Sequence, residues 1–353
     1  MRRCDNPLSF PFFVICALII DAPIPDIFGK MLEKPVRFLF SIPLNCAGAL
    51  ILGFLGGYPA GCKLACSLYD KKRCTKSQAE YLLSFTNNSG PAFIIGAVSA
   101  IMLNSPAAGT LIYAVHIAAC FLCALTMRFF SGTPKQEKTQ DITTPHGTKK
   151  NNRGILYSIT DAVKSSCFNI LNVCAFVVFF YILVNILKTA GFISIVSSAF
   201  GLLGFDPDIV SALIGGFFEM TTGCAMTASL DAGFSAKMVI ISAIISWAGV
   251  SIHFQALSFI LKSALNPLPY FCGKALHSIY SGALMFFVLK FFPSYIPVFF
   301  THDDAKISSS TMSAFSVFKL SLTCALLVII AFILLGILAF IAKTASKRAK
   351  KIL

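Results

Sequence analysis

The sequence predicts an all-α, polytopic membrane protein of two repeated, inverted halves with broken helices, and three observations carry that prediction. The first is composition: 56% of the 353 residues are hydrophobic and 12% charged, with a mean hydropathy of +0.79, whereas soluble domains carry about 25% charged residues. The second is the stretch 53–98, where apolar runs are interrupted by Gly56-Gly57-Tyr58-Pro59 and again by Asn87-Asn88-Ser89-Gly90-Pro91. The third is that similar interruptions return in the second half. Gly215-Gly216-Phe217 answers Gly56-Gly57-Tyr58, Gly223-Cys224 answers Gly61-Cys62, and Ser246-Trp247-Ala248-Gly249 answers the Asn87 to Gly90 break. Matching Gly-interrupted segments in two halves point to a transporter site near the bilayer midplane.

The formal charge of +14 does not indicate nucleic acid. Lys and Arg gather in short connections and in the final residues, as the positive-inside rule places them, and no soluble basic domain is present to bind a polyanion. The 13 cysteines give a single C-x-x-C, Cys120 and Cys123, inside an apolar run. Thiols there pack as small hydrophobes, and without a second paired spacing no metal or other cofactor is expected. No Ser/His/Asp set, carboxylate pair or metal cluster converges in the apolar segments, so the chain is not read as an enzyme.

In chain order, Met1-Arg2-Arg3 precedes an apolar run at 8–20. No small-residue cleavage site follows, so this reads as an uncleaved first segment with its arginines in the cytoplasm, not as a signal peptide. The run 38–55 approaches the roughly 20 residues needed to cross. Pro59 ends it and opens a short helix. That helix stops at Asp70, before a basic loop of Lys71, Lys72, Arg73 and Lys76 expected in the cytoplasm. Helix resumes over 77–85, breaks at Asn87 to Pro91, continues over 93–103, and a span over 107–130 closes the first half, 1–130. Residues 131–153, with His146, form a polar linker. The second half, 154–342, opens with an interfacial helix over 154–167 and a span over 168–187. A basic cytoplasmic tail occupies 343–353.

With the tail inside, a span at 320–341, an external loop carrying Asp303 and Asp304 and a span at 276–291 put 266–274 inside and the loop 231–237 outside. The two hairpins then face opposite sides, provided that 192–205 also crosses.

Both breaks are expected to present helix N-termini, with their backbone N–H groups and positive dipole ends, to one region. That suits a carboxylate or phosphate. The alternative for either break alone is a packing kink. The candidate binding residues are Tyr58, Pro59, Asn87, Asn88, Ser89, Gly90 and Pro91 in the first half, and Glu219, Thr221, Thr222, His253 and Gln255 in the second. Glu219 is an intramembrane carboxylate, by default functional, to be weighed against a protonated Glu bonded to a neighbouring helix. His116 and His277 read as packed core residues. Lys63 either snorkels or meets an anion.

Four motifs in order, GGYPAGCKLA, QAEYLLSFTNNSGPAFIIGAV, GGFFEMTTGC and SWAGVSIHFQ, resemble the YlbJ-type sporulation integral membrane proteins. These are a branch of the nucleoside-recognition, or Gate, domain family. The resemblance spans most of the chain apart from the N-terminal segment and the linker. It implies a protein of the mother-cell-derived outer forespore membrane that moves dipicolinic acid, in a fold distantly similar to concentrative nucleoside transporters. Dipicolinate, a small planar dianion, matches a cavity of helix N-termini with Thr, Asn and His. Glu219 then becomes a site for a coupling proton or cation, or orients the cavity. The expected partners are the lipid bilayer, the small anion, the coupling ion and further copies of the chain in a homo-oligomer, but no nucleic acid. A nucleoside or other neutral solute, and a non-transporting role in spore-envelope assembly, stand as alternatives.

Overall fold

The computed structural model describes residues 40, 42, 44–131 and 155–291. The expected segment at 8–20, nearly all of the polar linker with His146, the loop with Asp303 and Asp304, the span at 320–341 and the basic tail lie outside the described residues.

Every described element is a helix. The first half runs α1 Leu44–Gly56, α2 Ala60–Asp70, α3 Lys76–Thr86, α4 Ala92–Met102 and α5 Pro106–Ser131. The second runs α6 Ile155–Thr189, α7 Phe192–Gly201, α8 Pro207–Phe218, α9 Met220–Ala228, α10 Phe234–Trp247, α11 Val250–Lys262 and α12 Leu268–Phe291. Four stretches among these are long and apolar enough to cross a membrane: Pro106–Phe129, Ser166–Thr189, Phe234–Lys262 and Leu268–Phe291. The chain is therefore an integral membrane protein.

Local chemistry sets the ends. Thr75 and Gln78 form a reciprocal capping box at α3: Gln78 N–H donates to Thr75 Oγ1 at 3.3 Å and Thr75 N–H to Gln78 Oε1 at 3.0 Å. Asp206 caps α8, whose first residue is Pro207. Helix α4 is wound wider than an α-helix, with Leu103 N–H reaching back five residues to the Val98 carbonyl at 2.9 Å. Wide turns of this kind occur mainly as local features, frequently at functional sites.

Glycine lets the backbones touch. A Cβ at Gly53 or Gly61 would strike the Thr86 carbonyl, one at Gly273 the Ser84 carbonyl, and one at Gly223 the backbone of Gly216. Small residues at such crossings replace the hydrophobic driving force that lipid removes. Helix α12 packs on α3, α5 and α10 and runs through the middle of the assembly. Helix α6 lies outermost: 11% of its apolar span is buried, and Phe168, Leu171, Phe179 and Ile186 are exposed as lipid-facing side chains.

The two hairpin tips sit at opposite ends of α12. At its start, Asn266 N–H donates to Glu80 Oε1 at 2.9 Å and Ser263 Oγ donates to Asp70 Oδ2 at 2.9 Å, which places the α2–α3 tip there. Further along, Ser278 bonds the Ala243 carbonyl and Gly282 stands beside Ala243 and Val239. Helix α10 thus runs antiparallel to α12, and the α9–α10 tip lies toward Phe291.

Four expectations need correction. The interfacial helix and span expected over 154–187 are one 35-residue helix, α6, because no Gly or Pro interrupts it. The run 192–205 does not cross: α7 has 10 residues, about 15 Å against a hydrocarbon core of about 30 Å. Gly215 and Gly216 do not break the second-half helix. They lie inside α8, and the break falls at Glu219, with φ −143° and ψ 117°. Finally, Lys274 is not in an internal loop with the span starting at 276. Helix α12 starts at Leu268 and buries Lys274 to 1% exposure.

Candidate functional site

Each hairpin has two broken arms, and the breaks cross. In the first, Gly57, at φ +67°, lies against Gly90, where a Cβ would stand 3.2 Å from the Gly90 nitrogen. In the second, Gly249, at φ +85°, lies against the Phe218-Glu219-Met220 backbone, where a Cβ would meet Met220 N at 2.9 Å. Both positions combine a left-handed φ with a close approach, so glycine is the residue that fits. Ala248, at φ +82°, is in the same region without that freedom, and such strain gathers where function over-determines the backbone.

The crossings are tied to each other. Tyr58 Oη donates to the Ile245 carbonyl on α10 at 3.0 Å. His116 on α5 accepts from Ser89 N–H at Nε2, 3.2 Å, and its Nδ1 lies 2.9 Å from Ser246 Oγ on α10. At this junction lies the ammonium of Lys274. It donates to Tyr58 Oη at 2.7 Å and to the Asn87 carbonyl at 3.1 Å, with His277 Nδ1 at 3.5 Å. It also stands 4.8 Å from the Tyr58 ring centroid. The His277 ring lies against His116, centroids 4.5 Å apart and tilted by 42°, and its Nε2 is 2.9 Å from the His116 carbonyl.

The expected site residues distribute as follows. Asn87 Oδ1 accepts from Cys62 N–H in the first turn of α2 at 3.4 Å, and its Nδ2 donates to Tyr270 Oη at 3.4 Å. Asn88 Nδ2 donates to the Phe85 carbonyl at 2.8 Å, while its Oδ1 is buried without a partner. Pro59 and Pro91 sit at the starts of α2 and α4. His253 Nδ1 lies 2.9 Å from Tyr270 Oη, its ring is edge-on to Trp247, and its Nε2 is unpartnered. Both side-chain polar atoms of Gln255 are buried and unpartnered. Lys63 is half-buried on α2.

Glu219 is 1% exposed, and its carboxylate is turned onto its own helix. Oε1 accepts from Thr221 N–H at 3.0 Å; Oε2 accepts from Thr222 N–H at 2.6 Å and Thr222 Oγ1 at 2.8 Å. The N-terminal charge of α9 is therefore already met by this carboxylate. Asn87 Oδ1 plays the comparable, uncharged part at α2. The thiols of Cys120 and Cys123 donate to the Phe85 and Gly273 carbonyls, and among the described residues no three His, Cys, Asp or Glu groups gather to hold a metal.

The sporulation integral membrane protein YlbJ of Bacillus subtilis (strain 168) is 28% identical to this chain over 300 residues, covering 80% of this chain and 74% of that protein. The chain is thus similar to a YlbJ-type sporulation membrane protein over most of its length. No family model and no solved structure matches it.

The junction is built with four residues outside the expected set: Lys274, Tyr270, His116 and His277. The two histidines, read from sequence as packed core residues, are buried, and they are also hydrogen-bonded across the junction. One signal was available. Lys274 and His277 stand three residues apart in an apolar run, and an ionisable residue within a span is a functional-site hypothesis. Starting that span at 276 moved Lys274 out of it. Glu219 gave the opposite impression, since its isolation in the sequence hid the Thr221 and Thr222 amides that hold it.

Proposed function

We propose that the chain carries a small anionic solute, with dipicolinic acid the candidate, across the outer forespore membrane. The observation that supports this reading is Lys274. Its partners are a hydroxyl, a carbonyl and an imidazole, and among the described residues no carboxylate oxygen lies within 4 Å of Nζ; the described ion pair is Lys76–Glu80, at the α2–α3 tip. Desolvating an ammonium costs several kcal/mol, normally offset by an opposite charge. A carboxylate arriving at the junction supplies it.

The architecture proposed is an inverted repeat of the kind found in concentrative nucleoside transporters and Gate-domain proteins. Exchanging α1–α5 with α8–α12 maps the pair α2 with α11 onto α9 with α4, and α12 with α3 onto α5 with α10; each of these pairs is in contact. In the proposed architecture the crossed breaks lie on the pseudo-two-fold, with one binding region between two gates. In this reading Glu219 orients the second break, and the anion is held by the Lys274 side.

A neutral solute is favoured by one observation, the unpaired amide of Gln255 together with Asn88 Oδ1. A solute of the nucleoside type would use them. Purified full-length protein in liposomes separates the two. Saturable entry of dipicolinate that excess uridine does not inhibit is the expected result, and uridine entry without dipicolinate entry would overturn the anion reading. Entry of neither favours the spore-envelope assembly role.

A further inference from the structure

Hydrogen bonds fix the proton positions around Lys274. Tyr58 Oη gives its proton to the Ile245 carbonyl, so it meets Nζ with a lone pair. A carbonyl only accepts, so His277 carries its proton on Nε2, 2.9 Å from the His116 carbonyl, and its Nδ1 faces Nζ with a lone pair. His116 accepts from Ser89 N–H at Nε2 and so carries its proton on Nδ1, against Ser246 Oγ. Three N–H groups of one ammonium thus face three acceptors: Tyr58 Oη, the Asn87 carbonyl and His277 Nδ1. In that arrangement Lys274 carries the one positive charge of the junction.

The contact to His277 is the longest of the three, 3.5 Å against 2.7 and 3.1 Å. An anion reaching Nζ displaces that one most readily. Within the order His116–His277–Lys274, Nδ1 of His277 is then the ring position free to take a proton beside Nζ, because both nitrogens of His116 and Nε2 of His277 are already engaged. While the junction is empty, a proton there would set N–H against N–H. With a carboxylate between them, both groups donate to it.

We propose that His277 is the coupling group: it takes one proton on Nδ1 as a dicarboxylate displaces it from Lys274, and anion and proton cross together. The step makes an N–H bond at Nδ1 as an O–H bond of hydronium breaks, and release reverses it. The proton comes from water on the loading side and returns to water on the other. A dianion carried with one proton moves a net charge of −1. Among the described residues, the other groups facing the pair offer no competing carboxylate. They are Tyr58 and Asn87 from the first hairpin, Cys120, Cys123 and His116 from α5, His253 from α11, Tyr270 on α12, and the Ile245 carbonyl and Ser246 hydroxyl from α10. The proposal rests on the anion reading above.

Full-length protein is placed in liposomes loaded with a pH-sensitive dye, and dipicolinate is added outside at equal pH. Dipicolinate entry with internal acidification beyond that of protein-free liposomes is expected. His277→Gln keeps an acceptor for Lys274 and a donor for the His116 carbonyl but has no titratable nitrogen. It is expected to pass dipicolinate more slowly, with no acidification per dipicolinate entered. Lys274→Arg, whose charge is permanent, is expected to retain acidification wherever it retains entry. Entry without acidification in the unaltered protein, or acidification surviving in His277→Gln, would overturn the coupling role alone. No dipicolinate entry at all would overturn the anion reading, and the coupling with it.

Discussion

Lys274→Met is expected to abolish dipicolinate uptake while the protein stays folded in the membrane. Removing one partner of a buried charge pair costs roughly 3–5 kcal/mol, which corresponds to a loss of more than about a hundredfold in affinity for a solute whose carboxylate depends on that ammonium. Folding responds in the other direction. The ammonium has no opposite charge among the described residues, so an apolar side chain of similar length leaves stability unchanged or raises it. Loss of uptake with an equal or higher melting temperature in detergent therefore identifies a ligand-binding lysine. Normal uptake, or unfolding together with loss of uptake, would make Lys274 a structural donor to Tyr58 and Asn87.

Glu219 gives the second large effect, and the two substitutions at this position should diverge. In Glu219→Ala, two amides and a hydroxyl at the start of α9 lose their acceptor. Loss of an N-cap costs about 0.5–2 kcal/mol and each buried unsatisfied group about 1–3 kcal/mol. The break that faces Gly249 then loosens, and uptake falls to background with lower yield in the membrane. Glu219→Gln keeps one carbonyl acceptor, and uptake persists at a reduced rate with its proton coupling intact. The sequence-based expectation of a coupling carboxylate requires Glu219→Gln to fail. Measuring dipicolinate uptake and its pH dependence in both variants decides between a capping and a coupling role.

Much of the frame was readable from residue types. Pro59, Pro91 and Gly249 interrupt helices because of what they cannot donate or can adopt, and the structure breaks there. The absence of Gly and Pro over α6 carries equal information, since nothing in Ile155–Thr189 can end the helix. Gly215 and Gly216 show the limit of this kind of reading. A glycine pair signals either a break or a close approach, and in α8 the partner that decides, Gly223, is seven residues on and packed face to face. The site was less readable for the same reason. Ser89 with His116, Tyr58 with Lys274 and His116 with Ser246 are separated by 27, 216 and 130 residues, and nothing local to either member names the other. Lys274 in particular is masked by its apolar neighbours in any window wide enough to find a span.

The central claim is that two crossed breaks hold one buried lysine as an anion site. Equilibrium binding of dipicolinate to the purified full-length protein, with uridine as competitor and Lys274→Met as the paired variant, tests it most directly. Saturable binding that uridine leaves unchanged and that disappears in Lys274→Met is the predicted result. Displacement by uridine, or equal binding by Lys274→Met, would contradict it.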